Sequence, residues 1–89
     1  MVFITHIRLS HGGHLHEHIT DVKWRDSNNG QSGECSPAQM VDWLQKGNQA
    51  YVTDGIRTVE VRVVKANPPY LRTYADGVWT DNLLALPRF

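Results

Sequence analysis

Asn67-Pro68-Pro69-Tyr70-Leu71-Arg72-Thr73-Tyr74-Ala75-Asp76-Gly77-Val78-Trp79-Thr80-Asp81-Asn82-Leu83-Leu84-Ala85-Leu86-Pro87 is the stretch from which the rest of the chain is read. The two prolines must end whatever strand precedes them, because proline has no N–H to give to a ladder. Tyr70 to Tyr74 is rich in β-forming residues and reads as a strand. Asp76-Gly77 is a turn signal, since both residue types tolerate positive φ. Val78-Trp79-Thr80 then makes a short strand or turn. Asp81 stands where an N-cap would for one helical turn over Asn82 to Leu86, and Pro87 stops it. Large apolar residues are densest here, and Trp79, with Trp24 upstream, is expected in the core.

Upstream, Arg57 to Lys65 alternates, with Val59, Val61 and Val63 on one face and Glu60, Arg62 and Val64 on the other. Ala50 to Thr53 is a short strand ended by Asp54-Gly55. At the N-terminal end, Val2 to Ser10 reads as a strand with Phe3, Ile7 and Leu9 on one face and His6 and Arg8 on the other. His16 to Arg25 reads as its hairpin partner, with Thr20, Val22 and Trp24 opposite Asp21, Lys23 and Arg25. Asp26 to Gly33 is a polar loop with an Asn-Gly turn signal.

One helix is marked by its ends. Ser36 is a good N-cap, Pro37 suits the first helical position and Gln39 completes a capping box. Gly47 permits the left-handed residue that follows a helix. Met40, Val41 and Leu44 form the apolar stripe with Trp43 on its flank, while Asp42, Gln45 and Lys46 face water. So short a helix is unstable alone and must dock on the sheet. The expected fold class is therefore α+β. It is an antiparallel sheet of about five to six strands, flat or curled toward a barrel, carrying one helix in the order ββαβββ.

The 89 residues fit a single domain over 1–89, with room for a small core only. Lys plus Arg and Asp plus Glu number nine each, so the formal net charge is zero. A protein that clamps a phosphate backbone non-specifically needs a basic surplus, so nucleic acid is not favoured as partner. Near-neutral charge leaves little self-repulsion, and homodimerisation through an edge strand is plausible on that ground. The lone Cys35 has no partner for a disulfide, which fits a reducing compartment. No apolar run reaches membrane-spanning length, and the first residues lack a signal peptide's basic and apolar regions. The cytoplasm is the expected location.

Tyr70 to Pro87 resembles the C-terminal signature of a small bacterial and phage domain family of unknown function, seen largely in actinobacteria and their phages. Ile4-Thr5-His6-Ile7-Arg8-Leu9-Ser10, His18-Ile19-Thr20 and Met40-Val41-Asp42-Trp43-Leu44 resemble it too. The resemblance implies a small intracellular protein of bacterial or phage origin. It brings no established activity and no catalytic residues.

Two constellations are candidate sites. His11, His14, His16 and His18 lie within eight residues, with Glu17 among them and His6 on the preceding strand. In an extended segment His14, His16 and His18 share a face, as zinc or nickel ligands would. Solvated loop histidines are the simpler account, since a motif without its structural context is weak. The second is a strand-borne surface of Lys23, Arg25, Arg62, Arg72, Tyr70 and Tyr74. Aromatic and arginine side chains on a sheet can stack the bases of single-stranded nucleic acid, though a solvated sheet face is the simpler account. Asp76, Thr80, Asp81 and Asn82 lie near Arg72 in sequence, but each has an adequate local role in a turn or cap. A ribonuclease-like casting of His18, Glu17 and Arg72 lacks any sign that they converge. Cys35, just before a helix, is a candidate reactive thiol. The expectation is a non-enzymatic binding module for an unidentified host or cellular protein, engaged through the open sheet edge, the histidine loop or the wet sheet face. Nucleic-acid binding comes second and a metal-binding protein or enzyme centred on the histidines third.

Overall fold

The computed structural model describes all residues, Met1–Phe89. Its strands are β1 (Val2–Leu9), β2 (Ile19–Asp26), β3 (Ser32–Cys35), β4 (Ala50–Thr53), β5 (Thr58–Val64), β6 (Tyr70–Ala75) and β7 (Val78–Thr80), with one helix, α1 (Pro37–Gln45), between β3 and β4. They form one seven-stranded sheet in the order β3-β2-β1-β4-β5-β6-β7. Every neighbouring pair is antiparallel except β1 and β4, which run parallel through Val2↔Ala50 and Phe3↔Tyr51. The expected antiparallel sheet of ββαβββ order is thus corrected to a mixed sheet of order βββαββββ.

Two features account for the difference. Asn29-Gly30 is not a free loop but the tip of a tight connection, with Gly30 at φ 73° and Asp26 N donating to Gln31 O at 2.8 Å. It folds Ser32–Cys35 back onto β2 as an edge strand that its own composition does not announce. The chain then crosses through α1 and re-enters the sheet beside β1. A helical crossover of that kind is what allows parallel pairing.

The face assignment of β1 also changes. Ile4 and Ile7 are both buried, three residues apart, because the pairing with β2 skips Thr5 between Ile4↔Trp24 and His6↔Lys23. One extra residue in a bulge inverts the alternation that follows. Phe3 therefore lies opposite Ile4 and leaves the core. A second irregularity, between Arg8 and Leu9, leaves Thr20 exposed. The predicted start of β2 at His16 is replaced by a short 3₁₀ turn, His16–His18.

The helix follows its sequence signals. Gln39 N donates to Ser36 Oγ at 3.2 Å, and Ser36 N to Gln39 Oε1 at 2.9 Å, closing the capping box. Gly47 ends the helix at φ 95°. Met40 and Val41 are buried against Ile4, Ile7, Val22, Val52, Val59, Val61 and Leu71 of the sheet in one core cluster. Leu83, fully buried, closes that core from the C-terminal turn. Asp81 is not a side-chain cap as expected; its carboxylate accepts from Arg72 Nη2 at 2.9 Å. Beyond the short β1–β4 pairing, Ile7 N donates to Pro87 O and Phe89 N to Ile7 O, so the last residues line the open flank of β1. No helix is long and apolar enough to cross a membrane.

Candidate binding face

One side of the sheet is covered by α1 and the C-terminal turn. The other carries a continuous row of side chains across the strands. Reading the ladder partners in turn gives Ser32, Arg25, Phe3, Tyr51, Glu60, Tyr74 and Trp79. With strands about 4.8 Å apart, the row runs roughly 29 Å. The Phe3 and Tyr51 rings stand 6.3 Å apart, and those of Tyr74 and Trp79 meet edge to face at 5.1 Å. Arg62 lies over the Tyr74 ring, 4.3 Å from its centroid, a cation–π arrangement. Arg62 and Arg72 are themselves ladder partners, as are Val64 and Tyr70.

Trp79 is 40% exposed, which corrects its expected place in the core. The reason is parity: Val78 and Thr80 take the other side of β7, and Trp79 falls with Tyr74. Asp76 and Gly77 both have positive φ, the geometry of a tight hairpin turn, and they fix that register. Trp24 lies on the helix side, partly buried against the core, with its indole over Gly33.

The arginines of this face are mostly neutralised. Arg62 pairs with Glu60 at 3.3 Å, Arg72 with Asp81 at 2.9 Å and Arg8 with Asp21 at 3.6 Å. Lys23 and Arg25 hold no carboxylate; Lys23 Nζ instead sits 4.8 Å from the Phe89 ring centroid. The sequence-derived surface residues Lys23, Arg25, Arg62, Arg72, Tyr70 and Tyr74 thus belong to strands of one sheet, with the first two separated from the rest by β1 and β4. Sequence reasoning missed Phe3, Tyr51 and Trp79. Phe3 and Tyr51 meet only through the parallel pairing, for which no local signal exists.

The histidines are placed differently. His14 and His18 are neighbours, rings edge to face at 5.7 Å, and His18 Nδ1 accepts from the backbone N–H groups of His14 and Leu15. His11 sits in the preceding turn. His6 lies on β1, beside Thr5 Oγ1 at 3.0 Å and edge-on to Phe89. His16 is buried and stacks near Tyr70 at 6.5 Å. The 3₁₀ turn replaces the extended geometry that would have aligned His14, His16 and His18, and no three His, Cys, Asp or Glu side chains are grouped to hold a metal ion.

His16 Nε2 is buried without a hydrogen-bond partner and lies 3.8 Å from Asp81 Oδ1. That oxygen already accepts from Arg72. Burial, and secondly the Arg72 cation, push the His16 pKa below its ordinary value against the opposing pull of Asp81 and Glu17. The imidazole is therefore kept neutral. Cys35 is also half-buried, and burial together with Asp21 raises its thiol pKa, the opposite of the activated thiol that its position before α1 implied.

A mixed sheet with one helix-covered side and one open aromatic side defines a small helix-on-sheet domain. The chain belongs to the family described as Protein of unknown function (DUF3892), which it matches over residues 3–87. No curated protein and no solved structure matches it.

Proposed function

We propose that this chain is a non-enzymatic binding module that engages a host or cellular protein through the open face of its sheet. The observation that carries this reading is the aromatic row Phe3–Tyr51–Tyr74–Trp79 flanked by Arg25, Arg62 and Arg72. Tyrosine, tryptophan and arginine are the residue types that dominate protein interface energetics. They stand here on rigid strands, so little side-chain freedom is left to lose on binding.

A protein partner is favoured over nucleic acid by the ion pairs. Arg8, Arg62 and Arg72 each hold a carboxylate. A phosphate would have to displace these carboxylates, and the chain has no surplus charge to help. The partner would be cytoplasmic, in the bacterial or phage setting that the resemblance of the C-terminal stretch implies.

The test is affinity capture from cells that carry the protein, with wild type beside a Tyr51→Ala/Trp79→Ala variant of matched melting temperature. The expected result is a protein retained by wild type, lost from the variant and still held at 0.5 M salt, roughly the range where phosphate-dominated binding collapses. Nuclease-sensitive material released by salt would replace this reading with nucleic-acid binding. Equal retention by both proteins would remove the face from the account.

A further inference from the structure

The sheet has two edges, β3 and β7. An edge strand offers unpaired N–H and C=O groups to any other strand, and proteins that stay apart guard it with charge, proline or a covering segment. β3 is guarded by the charge of Glu34. β7, Val78-Trp79-Thr80, carries neither charge nor proline. Its two apolar residues point to opposite faces of the sheet and both are exposed, Val78 at 58% and Trp79 at 40%.

The hairpin fixes which backbone groups face outward. Asp76 and Gly77 form a two-residue turn, so Ala75 and Val78 exchange their hydrogen bonds inside the hairpin. Bonded and non-bonded pairs alternate along antiparallel strands. Tyr74↔Trp79 is therefore a non-bonded pair, and the N–H and C=O of Trp79 point away from β6 to the open edge. These two groups complement themselves. Turned about a two-fold axis at Trp79, two copies of β7 run antiparallel and each Trp79 N–H donates to the Trp79 carbonyl of the other. Val78 then stands opposite Thr80 of the second copy on the helix side. On the open side the two indoles meet, and the two aromatic rows join end to end.

The charges permit this register. Asp81 comes opposite Gly77 of the second copy and Asp76 opposite Asn82, so no carboxylate opposes another. Each aspartate also holds an arginine of its own chain, Asp76 with Arg57 at 3.5 Å and Asp81 with Arg72 at 2.9 Å. Zero net charge leaves little repulsion between the copies.

We propose that β7 pairs with β7 of a second copy about a two-fold axis at Trp79, joining two seven-stranded sheets into one. Both copies use the same patch, so the contact closes at two. Three-residue strands bury little area, and a contact of that size is weak. The pairing uses the backbone edge, so it stands or falls separately from what the open face binds.

The test is sedimentation equilibrium of the whole protein over a concentration series, with isotope-filtered NOE spectra of a mixture of labelled and unlabelled chains. The expected result is a monomer–dimer equilibrium and an intermolecular contact between the Hα atoms of Val78 and Thr80, whose Cα atoms stand about 4.5 Å apart in a non-bonded pair. Trp79→Lys sets like charges opposite each other on the edge and should raise the dissociation constant about tenfold or more. Tyr51→Ala, in the aromatic row but away from the edge, should leave it unchanged. The intermolecular contact in the wild type decides the matter even if a variant fails to fold. A monomer at millimolar concentration, a dimer indifferent to Trp79→Lys, a dimer dissolved equally by Tyr51→Ala, intermolecular contacts at Ser32–Cys35 instead, or species larger than two would each overturn the proposal.

Discussion

The Trp79 indole meets the Tyr74 ring edge-on at 5.1 Å and still leaves 40% of its surface in water. A large aromatic side chain held this way contributes more to a surface than to a core. Trp79→Ala is expected to cost no more than about 1 kcal/mol, the scale of one aromatic pair. Trp24→Ala, which strips a ring from the edge of the core and uncovers Gly33, should cost about 3 kcal/mol. Urea denaturation of both variants checks the contrast. Equal, large losses would return Trp79 to the core.

His16 contributes to the loss of stability just below neutral pH. Its folded-state pKa lies below the unfolded value of about 6.5, so the unfolded chain binds its proton first. The stabilisation from its neutral burial is complete above that pH. It declines as pH falls below about 6.5 toward the folded pKa, with a slope of at most about 1.4 kcal/mol per pH unit. His16→Phe keeps a ring against Tyr70 and removes the titration. Its Tm should fall less than that of wild type between pH 7 and pH 5. Parallel pH profiles for the two proteins would show that His16 charges freely.

Ser36 and Gln39 exchange two hydrogen bonds at the start of α1. Ser36→Ala should cost about 1 kcal/mol. In a domain of this size that corresponds to a Tm roughly 4–8 °C lower. Calorimetry reads it directly, and Ser36→Asp should recover most of the loss.

Cys35 should be a slow thiol. Burial and Asp21 hold it protonated at neutral pH, and the thiolate is the reactive form. Iodoacetamide at pH 7.5 is expected to modify the native protein several-fold more slowly than the urea-unfolded chain, counted by mass spectrometry.

The helix was legible because its signals are local: the cap, the first-turn proline and the glycine stop lie within a dozen residues of one another. The β5–β6–β7 meander was legible for the same reason, since Pro68-Pro69 and Asp76-Gly77 mark its turns. What escaped was set by distant partners. Ser32-Gly33-Glu34-Cys35 has little strand character of its own and becomes a strand by lying against β2. Thr5 looks like any β residue, yet its bulge moves Ile4 inward and Phe3 outward. Phe3 and Tyr51 are 48 positions apart in sequence and meet through a two-residue parallel pairing. Half of the aromatic row was hidden for that reason, whereas Tyr70, Tyr74, Arg62 and Arg72 were visible as strand-borne residues. The histidine run carries no local sign of the 3₁₀ turn over His16–His18, and it is that turn that buries His16.

The most direct test of the binding face is site-specific photocrosslinking in the native cell. A photoreactive residue replaces Trp79 at the row's end in one protein and Asp42, on the water-facing side of α1, in another. The account predicts a discrete protein adduct from position 79 that survives nuclease and is missing from position 42. Adducts of the same kind from both positions, or none from position 79, would contradict it.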